Sequence, residues 1–168
     1  MPVPAYLTIH GTYQGLISAG ALGAESAGTG RQSGFEDQIL VQAINHGIVV
    51  PGGVKAGRRK HQPFIVTKAL DKSSPLLNIA LCNAETLSCR VAFYRPAAEG
   101  AGLEHFYSLE LKDAIIKGIE FVMPHCQELT TAHFTQLERV HFAYRHITWR
   151  HEIGHTMGYD EWQEGSPS

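Results

Sequence analysis

Apolar and polar positions alternate with a period of two over most of this chain, which is the signature of strands with one face buried and one face wet. Tyr6 stands against Leu7 and Ile9 in a first short strand that stops at Gly11. A Gly-, Ala- and Ser-rich stretch over residues 15–34 follows, where the pattern supports only a weak strand near residues 16–19 and then irregular chain. Ile39, Val41 and Ala43 alternate with Leu40, Gln42 and Ile44, so both faces are partly apolar, as in a strand within a closed barrel. Pro63 sets an extended approach to the β-formers Phe64, Ile65, Val66 and Thr67.

Further on, Cys89, Val91 and Phe93 alternate with polar or small neighbours, residues 97–102 form a turn, and Tyr107, Leu109 and Leu111 alternate again, which reads as a hairpin. Ile115, Ile119, Phe121 and Met123 share one parity in a separate strand ended by Pro124. The last strand is expected over residues 139–149, with Val140, Phe142 and Tyr144 on one face and Arg139, His141 and Arg145 on the other. One segment alone changes to a period of 3.6. Ser73 or Ser74 is placed to cap it, Pro75 suits the first turn, and Leu76, Leu77, Ala80 and Leu81 make one apolar face before an end near Asn83 or Ala84. The prediction is a single mainly β domain over residues 1–168, a small β-barrel or sandwich of about seven or eight strands with one short flanking α-helix.

Residues 45–62 interrupt this pattern with Pro51, Gly52, Gly53, Gly57 and the basic run Arg58, Arg59, Lys60 and His61. A loop of that length inside a compact domain is expected to be functional. Charge narrows the possible partners: 14 Lys and Arg against 16 Asp and Glu give a net charge of −2, with no general pull toward nucleic acid or an anionic membrane. The basic run lacks interleaved aromatics, so a solvated loop tip is favoured over a nucleic-acid patch. Cys82, Cys89 and Cys126 are odd in number and lack CxxC spacing, and are read as buried free thiols of a reducing compartment. No 18-residue apolar run and no basic–apolar leader is present, so the chain is expected to be made in the cytoplasm and, if it is exported, to leave without a cleaved signal.

The sharpest short motif is His151-Glu152-Ile153-Gly154-His155, a literal HExxH. On a helix it would place two imidazoles one turn apart with Glu152 as general base, the arrangement of a zinc metallopeptidase. Its setting opposes that alternative. The preceding residues read as strand, Gly154 and Gly158 weaken a helix, and on an extended chain the two histidines stand roughly 13 Å apart, too far to share a metal. GxGxxG, Walker and Gly-x-Ser-x-Gly motifs are all lacking. No catalytic residue, cofactor or metal ligand is therefore assigned.

Taken together, several blocks are similar to a known family. They are Pro4-Ala5-Tyr6-Leu7-Thr8-Ile9, Gly34-Phe35-Glu36-Asp37-Gln38-Ile39, His61-Gln62-Pro63-Phe64-Ile65-Val66 running on to Ser73-Ser74-Pro75-Leu76-Leu77, Phe93-Tyr94-Arg95-Pro96 ahead of Glu104-His105-Phe106-Tyr107, Met123-Pro124-His125-Cys126-Gln127, and Ala143-Tyr144-Arg145-His146. In this order they resemble the Hcp (haemolysin co-regulated protein) family of type VI secretion. The resemblance implies a small β-barrel flanked by one helix, hexameric rings stacked into the inner tube, contacts with the spike protein and contractile sheath, and effectors carried in the lumen. It implies no enzyme activity, no nucleic-acid partner and no membrane insertion, and it does not require the HExxH. The long loop then becomes an arm toward a neighbouring subunit or ring, with Val50, Pro51, Gly52, Gly53, Arg58, Arg59, Lys60 and His61 as its interface residues. Rings that close head-to-tail and stack into an open filament fit a chain with usable sheet edges.

Overall fold

The computed structural model describes residues 3–52, 59–131 and 135–162. Its strands are β1 (Ala5–Gly11), β2 (Gly15–Leu16), β3 (Ile39–Asn45), β4 (Ile48–Val49), β5 (Lys60–His61), β6 (Phe64–Ala69), β7 (Leu87–Pro96), β8 (Leu103–Val122), β9 (Leu137–Ala143), β10 (His146–His151) and β11 (Thr156–Glu161). The helices are a single turn, α1 (Ala24–Ala27), and the longer α2 (Ser74–Cys82).

Every pairing is antiparallel. Six strands close on themselves in the order β8-β7-β1-β3-β6-β9, because β9 pairs with β6 on one side and returns to β8 on the other. Closure removes the free edges of those strands. It is made possible by the length of β8, whose 20 residues run unbroken where a hairpin strand and a separate strand were expected. The first half of β8 lies between β7 and β10, and the second half pairs with β9. The changeover falls at Asp113, whose φ of +49° puts a non-glycine residue in the left-handed region and kinks the strand.

Irregularities in register explain where simple parity fails. A shift between Ile116 and Gly118 carries the inward face from Ala114 and Ile116 to Ile119, which the parity of the sequence groups with Ile115; Phe121 and Met123, further along, are exposed. A shift between Val41 and Ala43 likewise moves the core side of β3 from Ile39 and Val41 to Ile44. The strand expected over residues 139–149 is two strands, separated at Tyr144 and Arg145, since β9 and β10 pair with different halves of β8. The weak strand expected at 16–19 is reduced to Gly15–Leu16, and the chain after it folds over β1, burying Ile17, Ala21 and Leu22. Phe35 from that stretch stacks on Tyr6 with ring centres 4.0 Å apart.

The helix α2 buries Leu77 and Ala80 against the barrel, with Leu76 and Leu81 partly covered, as its periodicity predicts. The cap differs from the expected one. Ser73 sits at the N-cap position but makes no capping bond, because its hydroxyl donates to Asp71 Oδ1 at 2.5 Å. Asp71 Oδ1 instead accepts the Ser73 N–H at 2.9 Å, and Ser74 Oγ turns inward to Glu138 Oε1 at 2.7 Å. Of the three thiols only Cys89 is buried, and burial pushes it up to about 12; Cys82 and Cys126 are exposed, contrary to the sequence expectation.

Candidate functional site

Two projections leave the closed barrel. One is the arm, where β4 and β5 form a two-stranded sheet of their own, Ile48 opposite His61 and Val49 opposite Lys60. The span read as structureless is therefore a hairpin at its root. The other is the hairpin of β10 and β11, which hangs from the outer edge of β8. Its strand β11 ends the sheet order, so it offers an unpaired edge among the described residues, and Met157 and Tyr159 on it are exposed.

The predicted interface residues divide into three sets. Val50, Pro51 and Gly52 are exposed beyond β4, Val50 at 53% and Gly52 with a φ of +79° that suits only glycine, and they continue an apolar strip begun by Ile48 and Val49. Gly53 and Arg58 lie outside the described residues. Lys60 is exposed, but Arg59 and His61 are held within their own chain. Arg59 Nε donates to Asp160 Oδ2 at 2.5 Å, and its Nη2 donates to Asp160 Oδ1 at 2.7 Å and to the Glu161 carbonyl at 3.0 Å. The bonds from Arg59 hold the Asp160 carboxyl below its ordinary range, with His61 adding to the effect, and Asp160 in turn raises Arg59.

His61 is only 3% exposed and is the hub of this contact. Its Nε2 lies 2.8 Å from Asp160 Oδ2 and its Nδ1 lies 2.5 Å from the Tyr144 hydroxyl, which also lies 2.7 Å from His46 Nε2. Trp162 stacks on the His61 ring at 5.3 Å. Burial, and then Asp160, raise the Tyr144 phenol far above its usual value, while burial and His61 lower His46. Sequence reading placed Tyr144 on the inner face but missed its partners, for no local signal links residues separated by 98 and 83 positions.

The HExxH occupies the turn between β10 and β11. His151 closes β10 and accepts the Gly154 N–H at Nδ1 at 2.8 Å, and His155 has a φ of +52°. This is the geometry of a tight turn rather than of one helical face, so the pairing of imidazoles a zinc peptidase helix provides is not formed. Glu152 is engaged elsewhere. Ser108 Oγ donates to its Oε1 at 2.7 Å, which holds Glu152 below its ordinary value. His105 Nε2 lies 2.8 Å from the same Ser108 oxygen and 3.1 Å from the Tyr107 carbonyl. A nitrogen that faces a carbonyl oxygen carries the proton, so it donates to Ser108 and cannot act as its base; the Ser–His–Glu trio is a structural network, not a nucleophile with its activator. No group of three His, Cys, Asp or Glu side chains placed to share a metal occurs among the described residues.

Comparison with known proteins bears on this arrangement. The family model described as "Type VI secretion system effector, Hcp" matches residues 6–151. A protein of Pseudomonas aeruginosa named major exported protein is 47% identical over 168 residues, covering 97% of each chain. Among solved structures, a crystal structure of an Hcp protein superposes with a TM-score of 0.90 at 42% identity, covering 96% of this chain and 99% of its own. The secreted protein Hcp3 from Pseudomonas aeruginosa superposes with a TM-score of 0.82 at 43% identity, covering 95% of this chain and all of its own at 100%. The match runs from β1 to the end of β10 and takes in both the ring of strands and the root of the arm, so the chain belongs to the Hcp family of type VI secretion.

Proposed function

We propose that this chain is the repeating subunit of the type VI inner tube: six copies close into a ring, rings stack, and the stack is secreted through the machine with effectors in its lumen. The single observation that supports the reading best is the family match across nearly all of the chain. The build of the molecule agrees with it. A closed barrel supplies a rigid body, while the edge of β11 and the exposed strip of Ile48, Val49 and Val50 supply two distinct surfaces, as head-to-tail assembly requires. In this reading one edge serves the ring and the outer arm serves contact between rings, with Val50, Pro51, Gly52, Gly53, Arg58 and Lys60 as the arm's contact residues, and Arg59 and His61 fixing its root.

The same reading makes the spike protein, the contractile sheath and secreted effectors the partners, and export proceeds without a cleaved signal. The chain has no catalytic role in it. Size exclusion with light scattering tests the first step. The expected mass is six times 18.5 kDa, and a strictly monomeric species across micromolar concentrations would sink the tube reading.

A further inference from the structure

The Tyr144 hydroxyl has one hydrogen and stands between two imidazole nitrogens, His61 Nδ1 at 2.5 Å and His46 Nε2 at 2.7 Å. Proton positions follow from the ends of this chain. Asp160 is ionised and accepts, so His61 carries its hydrogen on Nε2 and leaves Nδ1 bare. The bare Nδ1 accepts the Tyr144 O–H, and the Tyr144 oxygen accepts the His46 Nε2–H. Every polar atom from His46 Nε2 through Tyr144 to His61 Nε2 is satisfied with both rings neutral.

One added proton can be absorbed. If it sits on His61 Nδ1, beside the Asp160 carboxylate, Tyr144 turns its hydrogen to a His46 ring that has moved its own to Nδ1. A second proton cannot be absorbed. Two N–H donors would then converge on one oxygen whose hydrogen has lost both of its imidazole acceptors, and two cations would lie with ring centres 6.4 Å apart.

We propose that this relay is a proton-counting latch: it holds the root of the arm against the β10–β11 hairpin while no more than one of His46 and His61 is charged, and releases the arm when both are. The charged and titratable groups around it are Arg59 and Lys60 on the arm, Asp160 and Glu161 on β11, Arg145 between β9 and β10, and Asp113 and Lys117 of β8 across an adjoining cavity of about 270 Å³. Phe64 of β6 packs on the His46 ring without offering a counter-charge. The direction follows from His46, whose folded value is lowered from about 6.5. Below about pH 6.5 the open state binds more protons than the latched one, so the latch is stable above that pH and weakens as pH falls toward the folded value.

The latch lies within one chain, and only its consequence for stacking rests on the tube reading. Hydrogen–deuterium exchange of the full chain, read on peptides spanning β4 and β5 and corrected for intrinsic rates, should show protection at about pH 7.5 and a loss of about tenfold or more near pH 5. His46→Gln keeps a neutral donor toward Tyr144 and should keep the arm protected at the lower pH. Unchanged protection in the native chain, or an equal loss in His46→Gln, overturns the latch. Should that variant not fold, nitrogen-15 spectra of the histidine-labelled native chain decide: the Nε2–H form of His61 at neutral pH supports the relay, and the Nδ1–H form overturns it. Sedimentation of the same samples reports assembly separately, so a failed latch and a failed tube are told apart.

Discussion

Lys68 and Glu138 stand directly opposite each other on β6 and β9 and meet inside the barrel end, Nζ to Oε1 at 2.5 Å, with side-chain exposures of 0% and 1%. Asp71 Oδ1 at 3.0 Å and Ser74 Oγ at 3.1 Å complete the ammonium's partners, which ties the start of α2 to the sheet. Removing one partner of such a pair leaves an uncompensated buried charge. Lys68→Met should therefore cost about 3–5 kcal/mol in urea unfolding, whereas Lys68→Met with Glu138→Leu should recover most of that loss. Equal losses in the single and double variants would show that the site depends on the pair itself.

The apolar face of α2 carries a simpler expectation. Leu77 has no exposed surface, so Leu77→Ala should lower unfolding stability by about 2–5 kcal/mol, the range of a large-to-small core change. A change near zero would mean that the face is not packed in solution.

The outer arm should be separable from the barrel. Replacing residues 50–58 by a short Gly–Ser linker removes the exposed Val50, Pro51 and Gly52 and keeps the contacts of Arg59 and His61 to Asp160 and Tyr144. Circular dichroism and urea unfolding should change by no more than about 0.5 kcal/mol, as for surface changes generally, while ring stacking and secretion are lost. Tubes built by the shortened chain would refute the role given to the arm.

The HExxH turn offers a test that divides metal binding from turn geometry. Because His155 holds a φ of +52°, His155→Gly relieves a left-handed side chain and should leave stability unchanged or raise it by about 0.5 kcal/mol. Elemental analysis after dialysis should find far less than one zinc per chain in both forms. Stoichiometric zinc lost on that substitution would revive the peptidase alternative.

What the sequence by itself determined was local: period-two alternation over β1, β3, β6, β7 and β9, the 3.6-residue face of α2, and the turn at residues 97–102, each fixed by neighbours a few positions away. Order and composition of its blocks also sufficed to indicate the family. Tertiary structure decided the rest. The kink at Asp113 turns two expected strands into one that closes the barrel, and the register shift at Ile116 and Gly118 inverts which apolar residues face inward; both are set by the strand across the ladder rather than by the residues themselves. The inward Lys68 and the His46–Tyr144–His61–Asp160 relay were illegible for the same reason. A charged or titratable side chain is stable inside only beside partners; the fold brings Glu138 to Lys68 from 70 residues away and joins the relay across as many as 99, and no periodicity in the chain records these pairings.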